Sequence, residues 1–168
     1  TGSATPTIAQ TLAKVVTTVN RVDGVYETEV AVKLVLVPTT TLVLFTSATG
    51  SGFTTADNGN ASSLISKSQS VITATIGSAN FDIGHTFSTG GGGLANLGCV
   101  CNTGTKASGI TGSPSPVGDP YDIDYVAHEV GHQFGCNHTF NGSTGSCSGG
   151  NRSAANAVEP GSGVTIMA

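Results

Sequence analysis

The sequence predicts a single α/β domain built on a mostly parallel sheet. Two segments of helical periodicity are separated by β-prone residues, and a third helical segment follows in the C-terminal half. Such alternation is typical of a sheet whose strands are connected by helices. The chain has 168 residues, which is the length of one domain and is enough to bury a hydrophobic core.

Two N-terminal helices are predicted from apolar residues at helical spacing. Thr5 and Pro6 are the candidate N-cap and first helical residue, and the first helix is expected to end near Asp23 and Gly24. The second helix follows a loop at 47–60 that is rich in small polar residues, and Gly77 should end it. The two apolar faces contain Ile8, Leu12, Val15, Val16, Val19 and Val22, then Leu64, Ile65, Val71, Ile72 and Ile76.

The strands are predicted from runs of β-prone residues. Residues 30–37 are rich in Val and Leu and stop at Pro38, a pattern that indicates a buried strand. Residues 42–46 are interpreted as another strand or as the continuation of the same ribbon. Residues 81–87 are short and β-prone, and the glycine run 90–93 follows them. Whether that run is a functional flap or a mobile hairpin loop stays open at this point.

Composition argues against two classes of partner. Only 10% of the residues are charged, against about 25% in an average soluble domain. The net charge is −4 with six Lys plus Arg, whereas nucleic-acid binding requires a basic patch. No apolar run approaches the roughly 20 residues of a membrane span, and no signal peptide is recognisable. We therefore expect a mature, processed product.

The segment 128–138 contains the pattern HExxHxxGxxH. On a helix, His128 and His132 project from one face because they are four residues apart. Gly135 can turn the chain out of the helix and bring His138 to the same metal. Three protein ligands and one water are typical of catalytic zinc, and Glu129 suits the general base. An ordinary amphipathic helix with surface histidines is the weaker interpretation, because the glycine and the third histidine add two fixed positions.

At these residues the chain resembles the metzincin zinc metalloproteases, in which this motif is followed by a methionine turn. Met167, in VTIMA at 164–168, stands where that turn would close the site from below. The sequences GDPYDIDYVA, NHTF and EPGSG around the motif resemble the reprolysin-like, adamalysin-related branch found in secreted bacterial proteins. The resemblance is sharp for 81–168 and weaker before it.

The resemblance implies a metzincin-type catalytic domain with two helices, an active-site helix and a twisted, mostly parallel sheet that has an antiparallel edge strand. It implies one catalytic zinc ion and hydrolysis of peptide bonds in extended segments of a protein or peptide substrate. The edge strand that would pair with substrate is expected at 82–88. Its candidate residues are Asp82, Ile83, Gly84, His85, Thr86 and Phe87. His85 is expected to be packed or solvated rather than bound to the metal.

Three aspartates precede the active-site helix. Asp122 is a candidate N-cap and Asp124 falls in the first turn, where a carboxylate is favoured by the helix dipole. The alternative is a calcium site that combines Asp119, Asp122 and Asp124, because calcium takes oxygen ligands. Capping is the favoured interpretation, since helix starts are commonly acidic.

Four cysteines predict two disulfides in a secreted protein. The favoured connectivity joins Cys99 and Cys101 to Cys136 and Cys147, because a disulfide between Cys99 and Cys101 would close a strained loop. A four-cysteine zinc site is the alternative, although the spacing differs from that of zinc fingers.

The chain ends one residue after Met167. We therefore expect 1–168 to be a single catalytic domain that is incomplete at the C-terminus and short at the N-terminus, with other segments of the same precursor as partners. Two alternative functions stay open: a catalytically weak or inactive zinc-stabilised peptide-binding module, and a zinc hydrolase of another substrate class. The presence of Glu129 favours the enzyme.

Overall fold

The computed structural model describes residues 5–90 and 92–168. Two long helices, a three-stranded sheet and a C-terminal helical segment make up its regular structure. In chain order these are α1 (Ile8–Val30), α2 (Ala61–Ile76), β1 (Thr86–Ser88), β2 (Gly93–Ala95), β3 (Gly109–Gly112), α3 (Asp119–Tyr121), a π-helix (Asp122–Ala127) and α4 (His128–Phe134). Short 3-10 turns lie at Thr40–Val43, Asp57–Gly59, Ser78–Asn80, Gly145–Cys147 and Gly149–Asn151.

Helix α1 begins later and ends later than the sequence predicted. Thr7, not Thr5, is the N-cap: its hydroxyl accepts from the N–H of Gln10 at 3.2 Å, and the Gln10 side chain accepts from the N–H of Thr7 at 3.0 Å. This reciprocal pair is a capping box. The helix continues through Gly24 to Val30, because its apolar face keeps packing on the core and outweighs the roughly 1 kcal/mol cost of a helical glycine.

The predicted strand at 30–37 is wrong. Val30 ends α1, Ala31 is left-handed with φ 54°, and residues 31–37 pair with no strand in the described part of the chain. Val32 and Leu34 pack against the core. Their N–H groups bond to α1, at the carbonyl of Tyr26 and the carboxylate of Asp23. Because these main-chain donors are satisfied by a helix, the segment lies along α1 instead of joining the sheet.

The predicted strand at 42–46 is also wrong. Thr40–Val43 forms a 3-10 turn, in which the N–H of Leu44 bonds to the carbonyl of Thr41 at 3.3 Å. Hydrogen bonds within this turn therefore take the place of the strand-to-strand hydrogen bonds that were predicted.

The second helix was predicted correctly: Asn60 caps α2 by accepting from the N–H of Ser63, and Gly77 ends it at φ 84°.

The sheet confirms the predicted fold class, an α/β domain with an antiparallel edge strand. Its order is β1-β3-β2, with β1 parallel and β2 antiparallel to the central β3. The antiparallel strand is therefore β2 and not 82–88, whose ordered part, β1, runs parallel to β3. The chain reverses its direction between β1 and β2, and Gly92 just before β2 has φ 73°. Gly91 lies outside the described residues.

The main hydrophobic core lies between α1 and the helical segment that ends in α4. Its buried members are Val22, Tyr26, Tyr121, Val126, Ala127 and Val130. Tyr26 also donates a hydrogen bond to the carbonyl of Ala127 at 2.9 Å, which fixes the residue before α4. None of the helices in the described ranges combines the length and apolar character needed to cross a membrane.

The aspartates before α4 neither cap it nor gather around a cation. Gly118 is the N-cap of the helical segment, and Asp122 lies inside the segment, 3% exposed, where it accepts from the Thr18 hydroxyl at 2.8 Å. Asp119 forms an ion pair with Arg21 on α1. Among the described residues no three carboxylates come close enough to hold a metal. The capping prediction is wrong because burial draws Asp122 into the contact with α1, and the structure gives no support for calcium.

All four cysteines, each within the described ranges, are free thiols, so neither of the predicted disulfides is present. Cys99 is buried and points toward Gln133, whereas Cys101 and Cys136 are exposed. The segment before α4 is joined to that helix by its main chain: the N–H of Gly98 bonds to the carbonyl of His132 at 2.9 Å. Main-chain hydrogen bonds therefore connect this segment to α4, where the sequence predicted disulfides. The four thiols form no metal-binding group either.

Candidate metal centre

Three histidine side chains converge beside α4. His128 and His132 lie one turn apart on the helix, and His138 returns from the segment that follows. The Nε2 atom of His138 lies 3.1 Å from Nε2 of His128 and 3.2 Å from Nε2 of His132. All three side chains are half-buried.

The turn that brings His138 back depends on Gly135. This residue ends α4 with φ 103°, a left-handed conformation that costs glycine little. Its N–H bonds to the carbonyl of His132 at 2.9 Å, and the N–H of Cys136 bonds to the carbonyl of Gly131 at 3.0 Å. These bonds satisfy the last carbonyls of the helix while the chain reverses.

Each imidazole uses its other nitrogen to bond a main-chain carbonyl. The acceptors are Ile166 for His128 at 2.6 Å, Cys136 for His132 at 2.7 Å, and Asn151 for His138 at 2.5 Å. A carbonyl only accepts, so each Nδ1 carries the proton and each Nε2 presents a lone pair. This arrangement of outer carbonyl partners is typical of metal-binding histidines.

The chemistry of these donors fits a bound cation. Burial lowers the pKa of His132 to about 4 and also lowers the pKa of His128, so both are neutral at physiological pH. Three Nε2 lone pairs that converge at 3.1–3.2 Å repel one another unless a positive ion lies between them. Three nitrogen ligands suit zinc, with the fourth position left for water.

Glu129 lies beside this group but faces the sheet. Its side chain is 5% exposed, and burial raises the pKa of its carboxyl to about 8. A Cβ atom at residue 93 would lie 1.9 Å from Glu129 Oε1 and 2.5 Å from the ring of Tyr125. The carboxyl therefore occupies the space above β2 that a side chain at position 93 would need. Nearby positive charge would favour its ionised form.

Met167 lies directly below α4. A Cβ atom at Gly131 would lie 2.5 Å from the sulfur of Met167, so the Met167 side chain fits here only because residue 131 has no side chain. The carbonyl of Met167 accepts from the N–H of Thr139 at 3.0 Å, one residue after His138. The residue before it, Ile166, supplies the carbonyl that holds His128.

Glu159 stabilises the loop that carries Met167, a role that sequence reasoning missed. Its carboxylate accepts from the N–H groups of Val164 at 2.8 Å and Thr165 at 3.1 Å, and from the hydroxyls of Thr139 and Thr165. Those hydrogen bonds, led by the one from Thr139, lower the pKa of the carboxyl to about 2. The sequence feature that could have indicated this role is an acidic residue inside a glycine-rich loop.

Residues 82–87, which were predicted to pair with substrate, are not part of the antiparallel edge strand. The carbonyl of Asp82 accepts from the N–H of Cys101, Gly84 bonds to Lys106, and Ile83 packs on the core. Thr86 and Phe87 belong to β1, on the far side of β3 from β2. His85 contacts Gln133 and Thr111 and is not part of the three-histidine group.

Two imidazoles on a helix that also carries a buried carboxyl, joined by a third imidazole from the segment after it, form an arrangement typical of zinc-dependent hydrolytic centres. The family model described as Metallo-peptidase family M12B, Reprolysin-like, matches residues 8–168. The chain therefore belongs to the reprolysin-like metallopeptidases, which confirms the metzincin resemblance. Searches of curated proteins and of solved structures gave no match.

Proposed function

We propose that this protein is a zinc-dependent endopeptidase that hydrolyses peptide bonds in extended protein segments. The observation that carries the proposal is the convergence of three Nε2 lone pairs beside a helix that also carries the buried carboxyl of Glu129. Membership of a metallopeptidase family supports the reaction class. That the protein is secreted, and that 1–168 is one catalytic domain, stay predictions.

In the proposed mechanism the histidines bind zinc and Glu129 transfers the proton. His128, His132 and His138 would hold the zinc ion through Nε2, each oriented by its carbonyl partner. Zinc bound there supplies a Lewis acid that lowers the pKa of water and polarises the scissile carbonyl. Glu129 accepts the proton of the attacking water at a carboxylate oxygen and then delivers it to the leaving amide nitrogen.

Strand β2 is the better candidate for the substrate-pairing strand. It is the antiparallel edge of the sheet, with β3 as its neighbour on one side. Gly93 in this strand lies against Glu129, so a peptide added along β2 would bring its backbone near the proposed base. An extended peptide can bond to an edge strand through its main chain, with little dependence on sequence.

A pair of substitutions tests the assigned roles. Glu129→Gln should keep one tightly bound zinc and lose at least about 100-fold in kcat, because proton transfer is removed but the ligands stay. His132→Ala should lose the zinc itself. Zinc content by elemental analysis and cleavage of an unfolded protein substrate measure the two effects. Glu129→Gln with near-normal turnover would contradict the mechanism.

The same assays separate the alternatives. A peptide-binding module would hold zinc and bind unfolded protein without cleaving it, in the unmodified chain as well as in Glu129→Gln. A zinc hydrolase of another class would cleave ester substrates and leave protein substrates intact. Either result would overturn the endopeptidase proposal.

A further inference from the structure

A network of polar side chains connects Gln133 of α4 to the sheet. The amide side chain of Gln133 is fully buried, at 0% exposure, between α4 and β3. His85 Nδ1 lies 2.7 Å from Gln133 Oε1, and His85 Nε2 lies 2.8 Å from the hydroxyl of Thr111 on β3. Gln133 Nε2 donates to the carbonyl of Gly84 at 2.9 Å. Nothing in the proposed reaction uses these groups.

Each proton in the network can be assigned from its neighbours. Gln133 donates through Nε2 to a carbonyl, so its Oε1 must be the acceptor and His85 Nδ1 the donor. His85 Nε2 is then an acceptor, and the Thr111 hydroxyl donates to it. The imidazole is neutral and both its nitrogens are satisfied, in agreement with burial lowering the pKa of His85 to about 4.

The network acts on the last turn of α4. Gln133 immediately follows the proposed ligand His132 and precedes the exit turn at Gly135. Its carbonyl accepts from the N–H of Val100 at 3.2 Å, so side chain and main chain both hold this turn. Gly109 on β3 leaves room for this amide, because a Cβ atom at residue 109 would lie 2.3 Å from Gln133 Cδ. The turn itself is otherwise weakly covered, since Gly135 and Cys136 are exposed.

We propose that Gln133 and His85 are positioning residues for the metal centre. They fix the rotation of the last turn of α4 on the sheet, so that His132 and the chain that leads to His138 present their Nε2 atoms at one point. The inference rests on the proposed function, because it assumes that the three histidines bind zinc. In this proposal His85 orients α4 through its hydrogen bonds and does not bind the metal.

Two substitutions of His85 distinguish its two nitrogens. The side-chain amide of Asn overlaps the Nδ1 position, so His85→Asn can still donate to Gln133. The longer side chain of Gln places its amide near the Nε2 position, so His85→Gln keeps the contact with Thr111 and loses the donor to Gln133. Gln133→Leu removes the hydrogen-bonding amide on α4 with little change in side-chain volume. His85→Gln and Gln133→Leu, which both break the bond between His85 and Gln133, are called the strut variants below.

Zinc affinity is the readout, measured by competition with a chromophoric chelator on the full chain. The absorption spectrum of bound Co²⁺ reports the ligand geometry independently of activity. We expect His85→Gln and Gln133→Leu to weaken zinc binding about tenfold or more, within the 10- to 100-fold range found for outer-shell partners. His85→Asn should stay within about threefold of the unmodified chain, and its Co²⁺ spectrum should be unchanged.

A matched control separates positioning from general loss of stability. Ser68 on α2 is also fully buried; its hydroxyl donates to the carbonyl of Ala107 at 2.7 Å and accepts from the hydroxyl of Thr86 at 2.8 Å, and neither partner belongs to α4. Ser68→Ala should lower the unfolding midpoint without changing zinc affinity. All measurements are made well below the unfolding midpoint of each variant. If a strut variant does not fold, Gly109→Ala takes its place, because its Cβ displaces Gln133 and removes no hydrogen-bonding group.

The outcomes are separable from those of the proposed function. If the unmodified chain binds neither zinc nor Co²⁺ at the histidines, the proposed function fails. If it binds both and the strut variants bind as tightly, the inference is overturned and the proposed function stands. Equal weakening by His85→Asn and His85→Gln would also overturn it, because the bond to Gln133 would then not be the cause.

Discussion

At the scale of single residues, the position of the Glu129 carboxyl depends on what is absent from β2. A side chain at Gly93 would require the volume that Glu129 and Tyr125 occupy, with contacts of 1.9 Å and 2.5 Å. Tyr125 lies one helical turn before Glu129, so both project toward the same stretch of β2. The strand approaches the helix closely enough for the carboxyl to lie on its main chain.

Gly93→Ala should therefore act on catalysis. The added methyl group must displace the carboxyl of Glu129 or move β2 away, and we expect kcat to fall by about 10- to 100-fold, since misplacing a reacting group by about 1 Å can cost that much. Zinc affinity should change little. Gly104→Ala is the control, because its Cβ would meet nothing closer than 3.7 Å. An unchanged kcat in Gly93→Ala would show that Glu129 is not held by this contact.

The sequence located the residues of the proposed site and missed those whose proposed role depends on a distant partner. The three histidines and Glu129 lie within eleven consecutive positions at fixed helical spacing, so their chemistry is readable from the sequence. The roles of Gly93 and Gln133 appear only when β2 and β3 are placed against α4. Nothing in the sequence around Gly93 distinguishes it from the other glycines of its run.

At the scale of elements, α4 and the Met167 loop fit together through a missing side chain. Gly131 faces the sulfur of Met167, and Tyr26 of α1 lies within 3.4 Å of the same point. Next to Met167, the carbonyl of Ile166 orients His128. A change in this packing should therefore reach the proposed metal ligand through a single residue.

Gly131→Ala should destabilise the protein by about 1–3 kcal/mol, the usual cost of overpacking, and should weaken zinc binding. Met167→Ala should also destabilise it, because a cavity replaces the thioether. The double variant should be less destabilised than the sum of the two, by about 0.5–3 kcal/mol, since the new methyl group occupies the vacated space. Urea unfolding of all four proteins measures this coupling.

Gly24→Ala in α1 provides the reference for this cycle. Its Cβ meets nothing within 4 Å, so the substitution should stabilise by about 1 kcal/mol through helix propensity alone. Strict additivity between Gly131→Ala and Met167→Ala would mean that the two residues do not share this space in solution.

The end of α2 and the segment 30–37 show why one element was predicted correctly and another was not. Gly77 ends α2 because glycine adopts the required positive φ, which the sequence signals directly. Residues 30–37 have the composition of a strand, yet the N–H groups of Val32 and Leu34 bond to α1. Strand composition describes a partly buried extended chain and does not specify a partner.

At the scale of the whole molecule, one ion would connect three separate parts of the chain. The proposed ligands come from α4 and from the segment after it, and their carbonyl partners include Ile166 in the Met167 loop and Asn151. The α/β class was predicted from the alternation of patterns along the chain, although two segments of that alternation, 30–37 and 42–46, are not strands. The order β1-β3-β2 could not be predicted, because it depends on a reversal of the chain between β1 and β2.

Zinc should raise the stability of the entire fold. A ligand that binds only the folded state at 1,000 times its Kd adds about 4 kcal/mol, so the unfolding midpoint should rise with zinc and fall with chelator. The effect should disappear in His132→Ala, which serves as the control. Thermal unfolding followed by circular dichroism gives the measurement. A midpoint that is insensitive to both zinc and chelator would rule out a folded-state metal site.

His85 should make the metal-free fold sensitive to mild acid. Burial lowers its pKa from 6.5 to about 4 in the folded protein, so between those values the unfolded chain binds the proton more readily. The contribution of neutral His85 is complete above pH 6.5 and is lost as the pH falls toward 4. Glu129, whose pKa is raised, has the opposite trend, and its stabilising effect declines as the pH rises toward 8.

A difference between two proteins isolates the histidine, because the other titrating groups are common to both. The stability lost on His85→Asn should be greatest above pH 6.5 and should shrink steadily as the pH falls to 4. Urea unfolding with chelator present, at several values of pH across this range, measures the difference. A loss that is constant with pH would mean that His85 keeps its ordinary pKa in the folded state, and that the network around Gln133 is open to water.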